Sequence, residues 1–301
     1  VRRRMREVQA LSGVSFALER GELLGFIGPN GAGKSTTIKI LSGILRPDSG
    51  RVEVDGLVPW LQRQKHVARI GVVFGQRTQL WWDLPVIDGF ELLAAIYRVP
   101  DDDYRRRLDE LVELLRLSHI LQQPVRQLSL GQRMRAEIAA ALLHGPDVLF
   151  LDEPTIGLDA PAKLAVRGFV KRLNKEHGVT VLLTTHDMHD IEALAERVIV
   201  IGHGRVLADS PFEQLRAEVL SERRLFVDFA GEAPDLVIPG VVVRARNGQS
   251  VELAFDPLTT PAPALIARIA AEHAIEDVHV EQPAIEEVIA RFYDLHGASE
   301  A

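Results

Sequence analysis

The sequence contains no cysteine. A disulfide framework, thiolate metal sites and cysteine nucleophiles are therefore excluded, and the composition suits a reducing cytosol. Long hydrophobic runs are missing too. The longest candidates, Ile138–Leu143 and Val148–Leu151, are short and separated by His144-Gly145-Pro146-Asp147. A membrane-crossing helix needs roughly 20 apolar residues, so work at a membrane would require another chain to cross it. Excess positive charge is also absent. Lys and Arg number 35 against 42 Asp and Glu, a formal net charge of −7, which offers no global field for nucleic acid. Residues 1–15 hold no aromatic side chain, so no ring in that segment can stack on a base. The segment instead carries Arg2-Arg3-Arg4-Met5-Arg6 with no signal-peptide core behind it. It reads as a solvated stretch, with a basic patch facing anionic lipid as the other reading.

Against these absences stands Gly28-Pro29-Asn30-Gly31-Ala32-Gly33-Lys34-Ser35-Thr36, which fits G-x-x-x-x-G-K-[ST]. Before it, Glu22–Ile27 is a nearly continuous apolar run, as a strand buried on both faces would be. After it, Thr36–Gly43 has helical apolar spacing and a Gly where a helix can stop. Strand, glycine loop and helix are the context a phosphate-binding loop requires. The glycines let several N–H groups point at one anion, and the helix N-terminus adds partial positive charge. Lys34 would reach the β- and γ-phosphates, and the Ser35 hydroxyl would ligate Mg²⁺.

At 301 residues the chain is long enough for two domains. Strands are expected at Val14–Leu18, Arg51–Val54, Arg69–Phe74, Val148–Leu151, Thr180–Thr184, Arg197–Ile201 and Arg205–Ala208. Helices are expected at Ile87–Tyr97, Tyr104–Leu115, Arg133–Leu143, Pro161–His177 and Met188–Ala195. Apolar strands alternating with helices predict a parallel sheet covered on both faces, with a helical lobe inserted at about 77–145. From about residue 222 the pattern changes. Leu225, Val227 and Phe229 alternate, as do Val251, Leu253 and Phe255. Helices fit Pro263–His273 and Pro283–Phe292, with a strand at Val278 and Val280 between them. That order predicts a small α+β domain of ferredoxin-like type without a catalytic constellation, read as a dimerisation or scaffolding module, with ligand sensing as the other reading. The expected division is 1–216 and 217–301.

Five further features bear on chemistry. Val148–Leu151 ends in Asp152-Glu153-Pro154, which puts two carboxylates at the ligand edge of an open α/β sheet. Asp152 would hold Mg²⁺ and Glu153 would act as general base on the attacking water. Leu128-Ser129-Leu130-Gly131-Gln132 opens a helix, with a capping residue at Ser129 and, at Gly131, room for the backbone to approach an anion. Gln76 follows one strand, where its amide could reach Mg²⁺ or the water. His186 follows another, and Asp159 lies six residues past Glu153. Taken singly, each of these has an ordinary structural reading.

In this order, the phosphate loop, Gln76, Leu128–Gln132, Leu149–Pro154, Gly157-Leu158-Asp159 and His186 resemble the ATP-binding subunit of ABC transporters over about residues 10–216. The resemblance implies a P-loop NTPase (RecA-like) core with an inserted helical lobe and an antiparallel β edge. It implies ATP and Mg²⁺ as ligands, and two cassettes packed head to tail, a homodimer being the expectation. Ser129, Gly131 and Gln132 of one copy would then face the γ-phosphate held by Lys34 of the other. Asp159 would bridge the halves, and His186 would contact the γ-phosphate. Gly71–Pro85 and the tail around Gln282–Phe292 resemble cassettes that power separate ABC-2-type membrane subunits of viologen- or drug-exporter-like systems. This implies a peripheral protein on the cytoplasmic membrane face. Trp81 and Trp82 would lie where such a subunit docks, or would pack under the helical lobe. Leu130 stands where the family usually has Gly. The aromatic residue on which the family stacks adenine has no counterpart in residues 1–15. A soluble ABC ATPase acting on ribosomes or DNA is the other reading. One cassette, no Cys, no long heptad run and negative net charge speak against it.

Overall fold

The computed structural model describes residues 9–75, 77–219, 222–257, 259–281 and 292–293. Gln76, the arginines at 2–6 and the helix expected at Pro283–Phe292, apart from Phe292, lie outside the described residues. The chain divides into two compact units between Phe212 and Glu213.

The first unit is built on a six-stranded sheet. Its strands are β1 (Leu23–Ile27), β2 (Ile70–Phe74), β3 (Val148–Asp152), β4 (Thr180–Thr184), β5 (Arg197–Gly202) and β6 (Arg205–Pro211), in the order β2-β3-β4-β1-β5-β6. All neighbours pair parallel except β5 with β6. The central strands read LLGFI, VLFLD and TVLLT. Such unbroken apolar runs suit strands covered on both faces. Parallel pairing has a functional consequence. The C-terminal tips of β1, β2, β3 and β4 share one edge of the sheet, where loops can gather around a ligand.

Helices α1 (Lys34–Leu41), α2 (Arg63–Val67), α3 (Val86–Tyr97), α4 (Asp101–Leu114), α5 (Leu130–Leu142), α6 (Ala160–His177) and α7 (Met188–Leu194) complete this unit. The inserted lobe holds α3, α4 and the start of α5. Pro85 and Pro100 precede α3 and α4, and Asp101, Asp102 and Asp103 place negative charge on the first turn of α4, which favours that helix end. Asp159 caps α6, which stops at Gly178 with φ 66°.

Two expected strands do not form. Residues 14–18 make no ladder, and the stretch 51–54 contributes only a single bridge between Val54 and Leu57. Their alternation records one-sided burial instead, for Val14, Phe16, Leu18 and Val54 pack on the core around Leu24, Phe26, Ile38 and Phe150. The sheet's antiparallel edge is β6.

Helix α8 (Phe212–Val219) begins at the division. In the second unit, β7 (Arg223–Phe229), β8 (Val241–Asn247), β9 (Ser250–Phe255) and β10 (Ile275–Glu281) form an antiparallel sheet, order β10-β7-β9-β8. Helix α9 (Ala262–Glu272) covers one face, setting Leu265 and Ile269 among Leu225, Val227, Phe229, Val251, Leu253 and Phe255. The connection at 230–240 contains no helix, where a β-α-β-β-α-β arrangement would place one.

Candidate functional site: the phosphate loop and the acidic strand tips

Strand β1 ends at Ile27, and the chain turns through 28–33 into α1. Gly33 takes φ 111° immediately before the helix, a conformation that favours glycine. At Gly28 the constraint is space, because a Cβ there would lie 2.4 Å from the Ile201 carbonyl oxygen on β5. The loop is therefore pressed against the sheet while Asn30 and Gly31 stay exposed. Lys34 is only 5% exposed. Its Nζ donates to the carbonyls of Gly28 at 2.6 Å and Pro29 at 3.1 Å. Burial lowers the Lys34 pKa, and the charges of Glu153 and Asp152 oppose that shift. A cation is thus held inside a ring of backbone groups with two carboxylates nearby.

Those carboxylates sit at the tip of β3. Asp152 pairs in register with Thr184 on β4. Its Oδ1 accepts from Thr184 Oγ1 at 2.7 Å and from Ser35 Oγ at 3.1 Å. This joins the strand tip to the first turn of α1. Glu153 follows with φ 54°, a left-handed conformation that a non-glycine residue holds only at a cost of order 1–3 kcal/mol. The Glu153 N–H donates to the Thr184 carbonyl at 2.9 Å, which helps to fix that turn. His186 Nδ1 lies 3.3 Å from Glu153 Oε1. Lys34, Ser35, Asp152, Glu153 and His186 are thus brought together at one edge of the sheet.

Ser129, Gly131, Gln132 and Asp159 form a second group. Ser129 accepts from the Gln132 N–H at 3.2 Å, and its own N–H donates to Gln132 Oε1 at 2.9 Å. The two make a reciprocal capping box on α5. Asp159 accepts from the Ala162 N–H at 3.0 Å and caps α6. The two helix starts adjoin: a Cβ on Gly131 would lie 2.9 Å from Ala162 Cβ, and one on Gly157 would lie 2.9 Å from Leu130 Cδ2. Among the described residues, the hydrogen bonds of this group stay within the two helix starts, apart from a 3.5 Å approach of Gln132 to His119. None reaches the phosphate loop. The structure therefore places the site residues in two groups, one at Lys34 and one at Ser129.

Residues 11–156 match the family model described as ABC transporter. The daunorubicin resistance ATP-binding protein DrrA3 of Streptomyces coeruleorubidus is 35% identical over 295 residues, covering 95% of this chain and 92% of that protein. This chain belongs to the ABC transporter family as an ATP-binding subunit. It is an ABC-type ATPase that binds and hydrolyses ATP. The methionine import ATP-binding protein MetN 2 of Enterococcus faecalis is 32% identical, covering 90% of this chain and 80% of that protein. A dimeric ATP-binding cassette in a post-hydrolysis state, bound to ADP and Pi, superposes with a TM-score of 0.62 at 30% identity. It covers 69% of this chain and 94% of that one.

The ATPase contains two buried carboxylates that sequence reasoning passed over. Glu137 on α5 is 4% exposed and Asp190 on α7 is fully buried. Asp190 Oδ1 accepts from Arg167 Nε at 2.5 Å, and Oδ2 accepts from the hydroxyls of Thr155 and Thr185. Thr155 lies two residues past Glu153 and Thr185 just before His186. Asp190 therefore ties both turns to α6. Removing one partner of a buried, hydrogen-bonded ion pair costs about 3–5 kcal/mol. Asp190→Ala is expected to lose that much unfolding free energy in urea titration. A loss below about 1 kcal/mol, the scale of an exposed pair, would show that the network is not a structural tie.

Proposed function

We propose that two copies of this ATPase close on ATP and drive a separate integral membrane permease of the ABC-2 exporter type from the cytoplasmic face. The observation that carries this reading is the second anion-ready helix start. Ser129 and Gly131 open α5 with partial positive charge and a close-approach glycine, yet among the described residues no hydrogen bond ties them to their own phosphate loop. A second copy packed head to tail would bring that helix start to the γ-phosphate on Lys34 and set Asp159 at the join. Export is favoured by the sequence resemblance at Gly71–Pro85, and a relative named for Nod factor export is 36% identical over 73% of this chain. No helix among the described residues is long and apolar enough to cross a membrane, which agrees with a separate permease.

The motifs and the geometry of the described residues support the following roles. Backbone N–H groups of the loop 28–36, other than Pro29, surround the phosphates, and Lys34 exchanges the Gly28 and Pro29 carbonyls for phosphate oxygens. Asp152, Ser35 and Thr184 present only oxygen atoms around one point, a donor set that fits Mg²⁺ held jointly with phosphates. When bound, Mg²⁺ would be held by Ser35 and Asp152, with Gln76 as a further ligand, and would neutralise phosphate charge. Glu153 accepts the proton of the attacking water, and His186 steadies the γ-phosphate beside it. Trp81 and Trp82 are 40% and 49% exposed, and exposed aromatics of this kind anchor interfaces. They supply the docking surface for the permease.

Ser129→Asp separates the anion site from the helix cap. Asp caps helices as well as Ser does, so the variant is expected to unfold at the parent's denaturant midpoint. It also sets a negative charge where the γ-phosphate is to arrive. ATP-dependent dimerisation, read by sedimentation velocity, should therefore be lost. A variant that dimerises like the parent would remove Ser129 from the composite site. The permease is tested by purifying the complex from detergent-solubilised membranes. ATPase stimulation by RNA or DNA, with no membrane subunit recovered, would overturn the transport reading.

A further inference from the structure

Glu137 is a carboxylate on the buried face of α5, among Met134, Ile138 and Ala141. Burial pushes its pKa up, so the residue is held there against the preference of its own charge. An apolar side chain would pack at this position without that cost. What Glu137 does is grip another segment. Its carboxylate accepts from the Thr78 hydroxyl and from the Gln79 N–H at 3.0 Å, and its backbone carbonyl accepts from Gln79 Nε2 at 3.1 Å. One turn earlier on α5, the Arg133 guanidinium lies 5.6 Å from the centre of the Trp82 ring, within cation–π range. Just before α5 the same two segments meet again. The Arg126 N–H donates to the Trp82 carbonyl at 3.0 Å, its side chain pairs with Asp83 at 2.6 Å, and the Val125 N–H donates to the Leu84 carbonyl at 3.1 Å.

These contacts bind 78–84 to 125–137 along its length. Ser129 and Glu137 stand on one rigid helix, separated by roughly 12 Å at 1.5 Å per residue. We infer that Glu137 and Arg133 are positioning residues that make Trp81 and Trp82 move with α5, so that the docking surface follows the helix start that senses ATP. The inference rests on the two-copy reading above. This contiguous set of contacts names the joint at which coupling can be cut. With Glu137 shortened, the Thr78 hydroxyl and the Gln79 N–H lose their carboxylate acceptor and the grip of α5 on the segment weakens to the Gln79 side-chain bond and the Arg133–Trp82 contact, while Ser129 and the phosphate loop stay as they were.

The test uses the full chain carrying Trp60→Phe, so that emission reports only Trp81 and Trp82. The parent of this series is expected to dimerise on ATP with a shift in Trp emission and a change in acrylamide quenching. Glu137→Ala should still dimerise on ATP but lose the ATP-induced emission shift. Arg133→Ala should reduce that shift. Glu137→Gln, which keeps a carbonyl acceptor for the Gln79 N–H, should restore most of it. A purely structural role predicts instead that Glu137→Ala changes the resting emission and keeps the ATP-induced shift, and that result overturns the inference. A parent that dimerises without any emission shift also overturns it while leaving the two-copy reading intact. A parent that binds ATP and never dimerises overturns both.

Discussion

Glu153→Gln is expected to bind ATP, to hydrolyse it about 10²–10⁴-fold more slowly, the range that general-base catalysis supplies, and to accumulate as a dimer. The substitution is nearly isosteric. It keeps the backbone bond from residue 153 to the Thr184 carbonyl and disturbs neither Lys34 nor Ser35. It removes the proton acceptor that sits 3.3 Å from His186. It also removes a negative charge from the place where the γ-phosphate must lie, so closure on ATP should persist. Slow hydrolysis with intact closure then leaves the dimer as the resting form. Single-turnover phosphate release and sedimentation velocity on the same preparation check both halves. Normal turnover would show that another group takes the proton, and loss of ATP binding would show that Glu153 serves the fold.

The polarity of β3 explains why this part of the site could be read from the sequence. An apolar strand that stops at two acids puts them at the sheet's ligand edge, because parallel strands share one polarity. The phosphate loop was legible for the same reason, since strand, glycines, Lys and helix lie next to one another in the chain. Glu137 and Asp190 escaped notice because their partners lie far away in sequence: Thr78 and Gln79 for the first, Thr155 and Arg167 for the second. A signal was present nonetheless, as each is a carboxylate set in the apolar stripe of its helix. Strand β8 escaped for a different reason. Its residues are exposed on both faces apart from Val241, so its sequence carries no period-two burial. The opposite error arose at 14–18 and 51–54. There alternation reported packing on the core but not a partner strand in register.

Lys34→Ala is expected to lose nucleotide binding and with it all turnover, without weakening the fold. Hydrogen bonds to charged groups contribute roughly 1.5–3 kcal/mol each. Lys34 already directs two such bonds at acceptors within the loop, and phosphate oxygens take their place. Losing both gives about 3–6 kcal/mol, or roughly 10²–10⁴-fold in affinity. The folded protein without nucleotide should behave differently. Burial lowers the Lys34 pKa more than Glu153 and Asp152 raise it. The folded state therefore binds this proton less well than the unfolded chain does. For this group stability rises as pH climbs through the window from the folded pKa up to 10.5. At neutral pH its unfavourable effect is fully present, and removing the ammonium relieves it. Lys34→Ala relieves the buried charge but also removes the buried stem and the bonds to Gly28 and Pro29. The two effects oppose, so its urea midpoint near pH 7 should stay close to the parent's. Nucleotide titration by calorimetry should show no binding at concentrations that saturate the parent. A variant that both binds normally and unfolds early would make Lys34 a structural residue. The expected pair, lost binding on an undamaged fold, marks a side chain kept for its phosphate at the expense of its own hydration.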